Sequence, residues 1–141
     1  MIAVVSRVLS ARVHVGGVVK GEIAEPGLLV LLGVAHDDTH EAESAMARKI
    51  AELRLLREDS SVTDLNAPVL LVSQFTLLGN TKKGRRPSWS AAAQPAEAEM
   101  RYENVITALR ERGITVETGI FGADMQVESI NDGPFTVLVH T

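Results

Sequence analysis

Residues 12–23, Arg-Val-His-Val-Gly-Gly-Val-Val-Lys-Gly-Glu-Ile, carry the reading that decides the fold. Arg12, Val13, His14 and Val15 alternate polar and apolar, as the side chains of a half-buried strand must when successive residues face opposite sides. Gly16-Gly17 interrupts the run with two residues suited to a tight turn, and Val18 to Ile23 resumes it. Two short strand-like runs about a glycine pair predict a β-hairpin. A hairpin this early is incompatible with a simple doubly wound parallel sheet, whose strands alternate with helices from the start.

Working outward, Ile2 to Val8 is rich in β-branched residues and predicts a strand before the hairpin. Glu25-Pro26-Gly27 is a turn, and the continuous apolarity of Leu28 to Val34 predicts a strand buried on both faces. Asp38 and Glu41 have capping-box spacing, and Ala42, Met46, Ile50 and Leu53 follow as the apolar stripe of a helix. Glu58 to Ala67 is polar and reads as a loop; Val69 to Leu78 reads as a second buried strand. A basic loop, Gly79 to Ser90, leads to a second helix from Pro95 to Arg112, with the stripe Ala98, Tyr102, Val105, Ile106 and Leu109 and with Gly113 as the residue beyond its end. Ile114 to Thr118, Met125 to Ile130 and Phe135 to His140 are expected as three short strands. The expected architecture is α/β in the α+β sense: a mixed, barrel-like sheet with two covering helices, in a single domain over residues 1–141.

Composition narrows the function. The 141 residues are 45% hydrophobic and 23% charged, an ordinary globular balance. The net charge of -4 means that any nucleic-acid partner has to be met by a local basic patch rather than by bulk charge. With no cysteine, disulfides, thiolate nucleophiles and cysteine-ligated zinc are excluded. Met1 to Leu9 has Arg7 in its middle and no small-residue cleavage site, and Leu28 to Ala35 is too short to span a bilayer. The expected setting is the cytoplasm, with no membrane partner.

Common catalytic constellations are missing. There is no G-x-S-x-G elbow, no phosphate-binding loop and no G-x-G-x-x-G after a strand. His36 and His40 are four apart, but they straddle the start of the expected helix with no glutamate between them, so they read as exposed loop residues and no metal is expected. His14 and His140 fall in strand patterns without a nearby serine or cysteine motif.

Two segments remain. Ser73-Gln74-Phe75-Thr76-Leu77 places polar residues at the end of a buried strand. Either the strand surfaces there, or backbone N–H groups and hydroxyls floor a ligand pocket; composition leaves both open. Asn131-Asp132-Gly133-Pro134-Phe135-Thr136 is a strong turn signal, expected to join the last two strands as a hairpin connection. Its Gly-Pro bond is also able to be cis, since the trans preference is small before proline.

Together these two segments resemble the signatures of the D-aminoacyl-tRNA deacylase family, often called D-tyrosyl-tRNA deacylase: Ser-Gln-Phe-Thr-Leu at 73–77 and Asn-x-Gly-Pro-x-Thr at 131–136. The resemblance extends over Val5 to Val13, the Lys82 to Trp89 loop and Phe121 to Val127, and so over nearly the whole chain. Phe135 and Asp124 stand where the family more usually has valine and histidine, and 58–67 is shorter than typical. A related branch that edits L-alanine mischarging carries alanine where Phe75 stands, and the intact motif argues against that branch.

The resemblance implies hydrolysis of the ester of D-aminoacyl-tRNA, and of glycyl-tRNA, without a cofactor. It implies a homodimer in which a Gly133–cis-Pro134 pair reaches into the partner's pocket and excludes L side chains. Ser73, Gln74, Phe75 and Thr76 are the implied catalytic segment, with Phe121, Met125 and Asn131 in the substrate pocket. Lys82, Lys83, Arg85 and Arg86 are the expected tRNA contacts. The competing expectation is a non-catalytic RNA- or DNA-associated dimeric module on the same fold.

Overall fold

The computed structural model describes all residues from 1 to 141. Nine main elements follow one another: β1 (Ile2–Val15), β2 (Val18–Ile23), β3 (Gly27–Gly33), α1 (His40–Glu52), α2 (Val62–Leu65), β4 (Val69–Ser73), α3 (Pro95–Glu111), β5 (Val116–Thr118) and β6 (Gln126–His140). They form a six-stranded mixed sheet in the order β2-β1-β3-β4-β5, with β6 also paired to β1. The β1 pairings are antiparallel, while β3–β4 and β4–β5 are parallel. At the far ends of this path, Gly21 of β2 lies against the main chain of Thr118 in β5. A Cβ on Gly21 would sit 2.2 Å from the Thr118 carbonyl oxygen, so only glycine permits the sheet to curl this nearly shut. The expected barrel-like mixed sheet is thus observed.

The hairpin expected from residues 12–23 is present, with Val15 opposite Val18 across Gly16-Gly17. Upstream, however, the two expected strands are one. β1 runs unbroken from Ile2 to Val15, and an irregularity between Val8 and Ser10 shifts its register against β6. That shift divides its burial between two cores. Ala3 and Val5 join the helix-covered core with Leu28, Val30, Leu32, Val69 and Leu71; Val8, Ala11 and Val13 join a second core with Ile23, Leu29, Leu70 and Val72. Alternate residues of β3 and β4 therefore enter opposite cores, which is the physical reason their sequences are apolar without a break.

The helices form where their stripes predict, and Ala98, Tyr102, Val105, Ile106 and Leu109 are all buried. Gly113 follows α3 at a φ of +82°. The start of α1 differs from expectation. Thr39, not Asp38, is the N-cap, its side chain accepting from Ala42 N–H. Asp38 is turned inward instead, accepting from the Ala35 N–H at 2.7 Å and pairing with the Met1 ammonium. The 58–67 segment is not all loop: Ser61 and Asp64 form a capping box that starts α2. The strand expected over 69–78 ends at Ser73, and Phe75–Leu78 is a 3-10 turn.

The largest correction lies at the C-terminus. Residues 131–136 are not a hairpin connection. Both halves of β6 run along β1 in one direction, and Val8 pairs with Asn131 while Ser6 pairs with Thr136. Arg7 alone thus stands opposite four residues, 132–135, which leave the ladder as an extended bulge. The turn chemistry is real, but β1 continues beneath it and offers pairing on both sides, so the chain steps out and returns instead of reversing.

Candidate active site

Leu32 near the end of β3 and Val34 just beyond it, Val72 and Ser73 at the end of β4, α3, and the 121–127 segment surround a cleft of about 590 Å³. Ser73, Gln74 and Phe75 form one wall; Ala98 and Tyr102 come from α3; Phe121, Gly122, Ala123, Asp124 and Met125 close the other side. Gly33 makes this arrangement possible. A Cβ there would come within 2.5 Å of Leu78 and 3.0 Å of the Gln74 carbonyl, so the 74–78 turn can fold across the end of β3 only above a glycine. Gln74 is anchored by its N–H to the Leu32 carbonyl at 2.8 Å. Because the chain turns into a 3-10 conformation at Phe75, its first backbone N–H groups have no intrahelical acceptor and remain available to a ligand.

Phe75, 57% exposed, meets Trp89 edge-on with ring centroids 5.9 Å apart, an aromatic rim for the cleft. Tyr102 is buried, donates to the Leu71 carbonyl at 2.7 Å and packs against Phe121. Burial, then the nearby Glu103 charge, pushes its phenol well above the usual tyrosine range, so Tyr102 stays neutral and structural. Tyr102 and Asp124 are the only titratable residues lining the cleft. The cleft therefore has no paired nucleophile and base. Thr76 is exposed, and its hydroxyl accepts from the Gln74 side-chain amide; it does not line the cleft. No three histidine, aspartate or glutamate side chains are grouped to hold a metal. His40, 82% exposed at its side chain, pairs with Glu43 rather than with His36.

The remaining expected residues are elsewhere. Lys82, Lys83, Arg85 and Arg86 are exposed on a loop closed by reciprocal backbone hydrogen bonds between Asn80 and Ser88. Asn131, Gly133 and Pro134 are exposed and line none of the cleft of their own chain. The Gly133–Pro134 peptide bond is cis.

Sequence reasoning missed the residues that hold this bulge. Arg7, 5% exposed, donates from Nε to the Asp132 carbonyl at 2.9 Å and from Nη2 to the Gly133 carbonyl at 3.1 Å. Its guanidinium lies 4.6 Å from the centre of the Phe135 ring. Asp132 in turn receives two hydrogen bonds from Arg57, at 3.1 and 2.5 Å. Those bonds, with the charges of Arg57 and then Arg7, hold the Asp132 carboxyl below its usual range. An arginine at an inward-facing position of β1 was the available signal, since such a group is buried only when its donors are satisfied.

Comparisons with known proteins cover nearly the whole chain. The family model described as D-Tyr-tRNA(Tyr) deacylase matches residues 4–140. A D-aminoacyl-tRNA deacylase from Corynebacterium glutamicum is 58% identical over 142 residues, and one from Kineococcus radiotolerans 56% over 139, each covering 99% of both chains. A solved structure titled c-Myc DNA Unwinding Element Binding Protein superposes with a TM-score of 0.92 at 37% identity, covering 100% of this chain and 99% of the other. A probable eukaryotic D-amino acid tRNA deacylase shares the fold, with a TM-score of 0.86 at 16% identity over 99% of each chain. No helix is long and apolar enough to cross a membrane. The chain belongs to the D-Tyr-tRNA(Tyr) deacylase family.

Proposed function

We propose that this protein hydrolyses the ester joining a D-amino acid to tRNA, releasing the free amino acid and tRNA, and acts on glycyl-tRNA as a second substrate. The observation that carries the reading is the placement of Ser73, Gln74 and Phe75 on the wall of an apolar cleft, in a chain matching deacylases from end to end. An aminoacyl ester is already activated by its neighbouring ammonium group, so positioning and stabilisation of the oxyanion suffice for chemistry. The cleft has the parts for that: apolar walls for the terminal adenosine, and free N–H groups where the 3-10 turn begins. Water is the nucleophile, with Thr76 shaping the segment. Phe121 and Met125 contact the substrate from the facing wall.

Stereoselection belongs to the 131–135 bulge of a second copy. Asn131, Gly133 and Pro134 do not reach the cleft of their own chain, so a homodimer with a cross-subunit site is the arrangement that unites them. β6 suits that contact: it pairs on one edge only and exposes Val127, Ile130, Phe135 and Leu138. The wedge acts by exclusion: an L side chain meets the main chain at Gly133, a D side chain points away, and glycine has nothing to exclude. Lys82, Lys83, Arg85 and Arg86 contact tRNA phosphates, and a tRNA substrate places the enzyme in the cytoplasm. Residues 1–141 act as one domain.

The structural neighbour titled for DNA binding supports a second reading, a nucleic-acid-associated dimer without turnover. Incubation with D-tyrosyl- and L-tyrosyl-tRNA separates the two. Selective loss of the D ester is expected; retention of both esters on a protein that binds tRNA would establish the module instead.

A further inference from the structure

The bulge at 132–135 poses a mechanical problem. Its four residues leave the ladder opposite Arg7, so the backbone pairing that stiffens the rest of β6 is missing where stiffness matters most. A selector that works by exclusion discriminates only as far as it resists displacement. Arg7 holds the inner side through two main-chain carbonyls. The outer side is held from a different part of the fold. Arg57 sits on the short turn Arg57–Asp59, beyond α1, 75 residues away in sequence, and grips both Asp132 carboxylate oxygens. The same carboxylate lies 3.2 Å from Arg7 Nε, so Asp132 is clamped between two guanidinium groups. Phe135 closes the clamp by packing its ring on Arg7.

The geometry of the Arg57 turn matches this duty. Glu58 and Asp59 both adopt left-handed conformations, at φ of 59° and 53°, which are uncommon for residues other than glycine. Arg57 itself lines a small cavity together with Arg7, Glu25, Pro26 and Asp132. A bidentate arginine–carboxylate pair fixes orientation as well as distance, which a lysine cannot do.

We infer that Arg57 is a positioning residue for stereoselection: through Asp132 it braces the outer side of the 132–135 bulge, so that discrimination between D and L substrates depends on a residue remote from the cleft. This rests on the proposed role of the bulge as the selector. It acts through Asp132 and touches neither substrate nor the reacting ester.

The test is the ratio of kcat/KM for D-tyrosyl-tRNA to that for L-tyrosyl-tRNA, in which the common tRNA contribution cancels. Arg57→Ala is expected to lower the ratio by about 5- to 10-fold, the range set by loss of a good ion pair and slight misplacement of a reacting group. Arg57→Lys should recover part of it. Added salt should lower the ratio of the wild-type protein more than that of Arg57→Ala, which keeps only the buried Arg7 pair with Asp132, a difference that a merely structural role would not produce. An unchanged ratio in Arg57→Ala, in a protein whose wild type discriminates, overturns the inference while leaving the deacylase reading intact. A wild type that treats both esters alike overturns both. If Arg57→Ala does not fold, the ratio of Arg57→Lys decides the matter: a fall below wild type supports the brace and an unchanged ratio overturns it.

Discussion

Thr76 bears on the mechanism most directly. Its hydroxyl accepts from the Gln74 amide and no histidine or carboxylate is placed to take its proton. An alcohol without a base is a poor nucleophile. Thr76→Ala should therefore keep D-tyrosyl-tRNA turnover within about tenfold of wild type, whereas loss of an essential covalent nucleophile costs on the order of 10⁶-fold. Single-turnover ester loss measures the difference, and complete inactivation with intact tRNA binding would overturn water attack. Tyr102 gives a second residue-scale expectation. Its hydroxyl satisfies the Leu71 carbonyl inside the core, so Tyr102→Phe should lower stability by about 1 kcal/mol, read from urea denaturation midpoints. Ser73, Gln74 and Phe75 were legible as a candidate pocket wall because polar residues interrupt an apolar strand. The holding role of Arg7 was not legible, because its partners lie more than 120 residues away.

Between elements, the contact of α1 with α3 is held partly by a polar network. Glu43, with a side chain only 3% exposed, accepts from Arg101 at 2.8 Å, from Asn104 at 3.1 Å, and lies 3.0 Å from His40 Nδ1. Burial raises its pKa, but hydrogen bonds from His40, Arg101 and Asn104, together with the Arg101 charge, outweigh that and leave it lowered. A carboxyl whose folded pKa is below its unfolded value stabilises the fold above the unfolded value. That contribution fades as pH falls through the lower folded one. Stability of the wild type should therefore decline below about pH 4, and Glu43→Gln should flatten that decline while costing roughly 1–3 kcal/mol at neutral pH. Thermal melts between pH 3 and 7 check both. At this scale the helices were legible because their stripes repeat every 3.6 residues, and the hairpin because Gly16-Gly17 sits between alternating runs. The last two strands were misread as a hairpin because a local turn signal does not reveal whether a neighbouring strand runs on beneath it. The α2 turn was missed because its four residues are too few to show a period.

For the molecule as a whole, assembly and RNA contact are the open consequences. Leu138 and Ile130, 64% and 58% exposed, lie on the strand proposed to meet a second copy. Leu138→Glu should yield monomers in analytical ultracentrifugation and lose deacylation with them, since each cleft would lack the partner's bulge. Monomers with full activity would show that one chain suffices. Replacing Lys82, Lys83, Arg85 and Arg86 by glutamine should weaken tRNA binding and flatten its salt dependence by nearly one unit of log-log slope per lost phosphate contact. An unchanged slope would place the contact elsewhere.

Taken alone, the chain's order of residues determined that it folds as a mixed sheet with two long helices, because periodicity and turn chemistry are local properties. It also determined that no thiolate is available, because the chain has no cysteine. Only the tertiary structure decided that Ser73–Phe75 faces a cleft, that Gly133 and Pro134 stand outside it on a bulge, and that Arg7 and Arg57 hold that bulge from two distant elements. Those facts depend on which strands share an edge and where their registers slip, and register is set by packing across the whole sheet, not by any stretch of neighbouring residues.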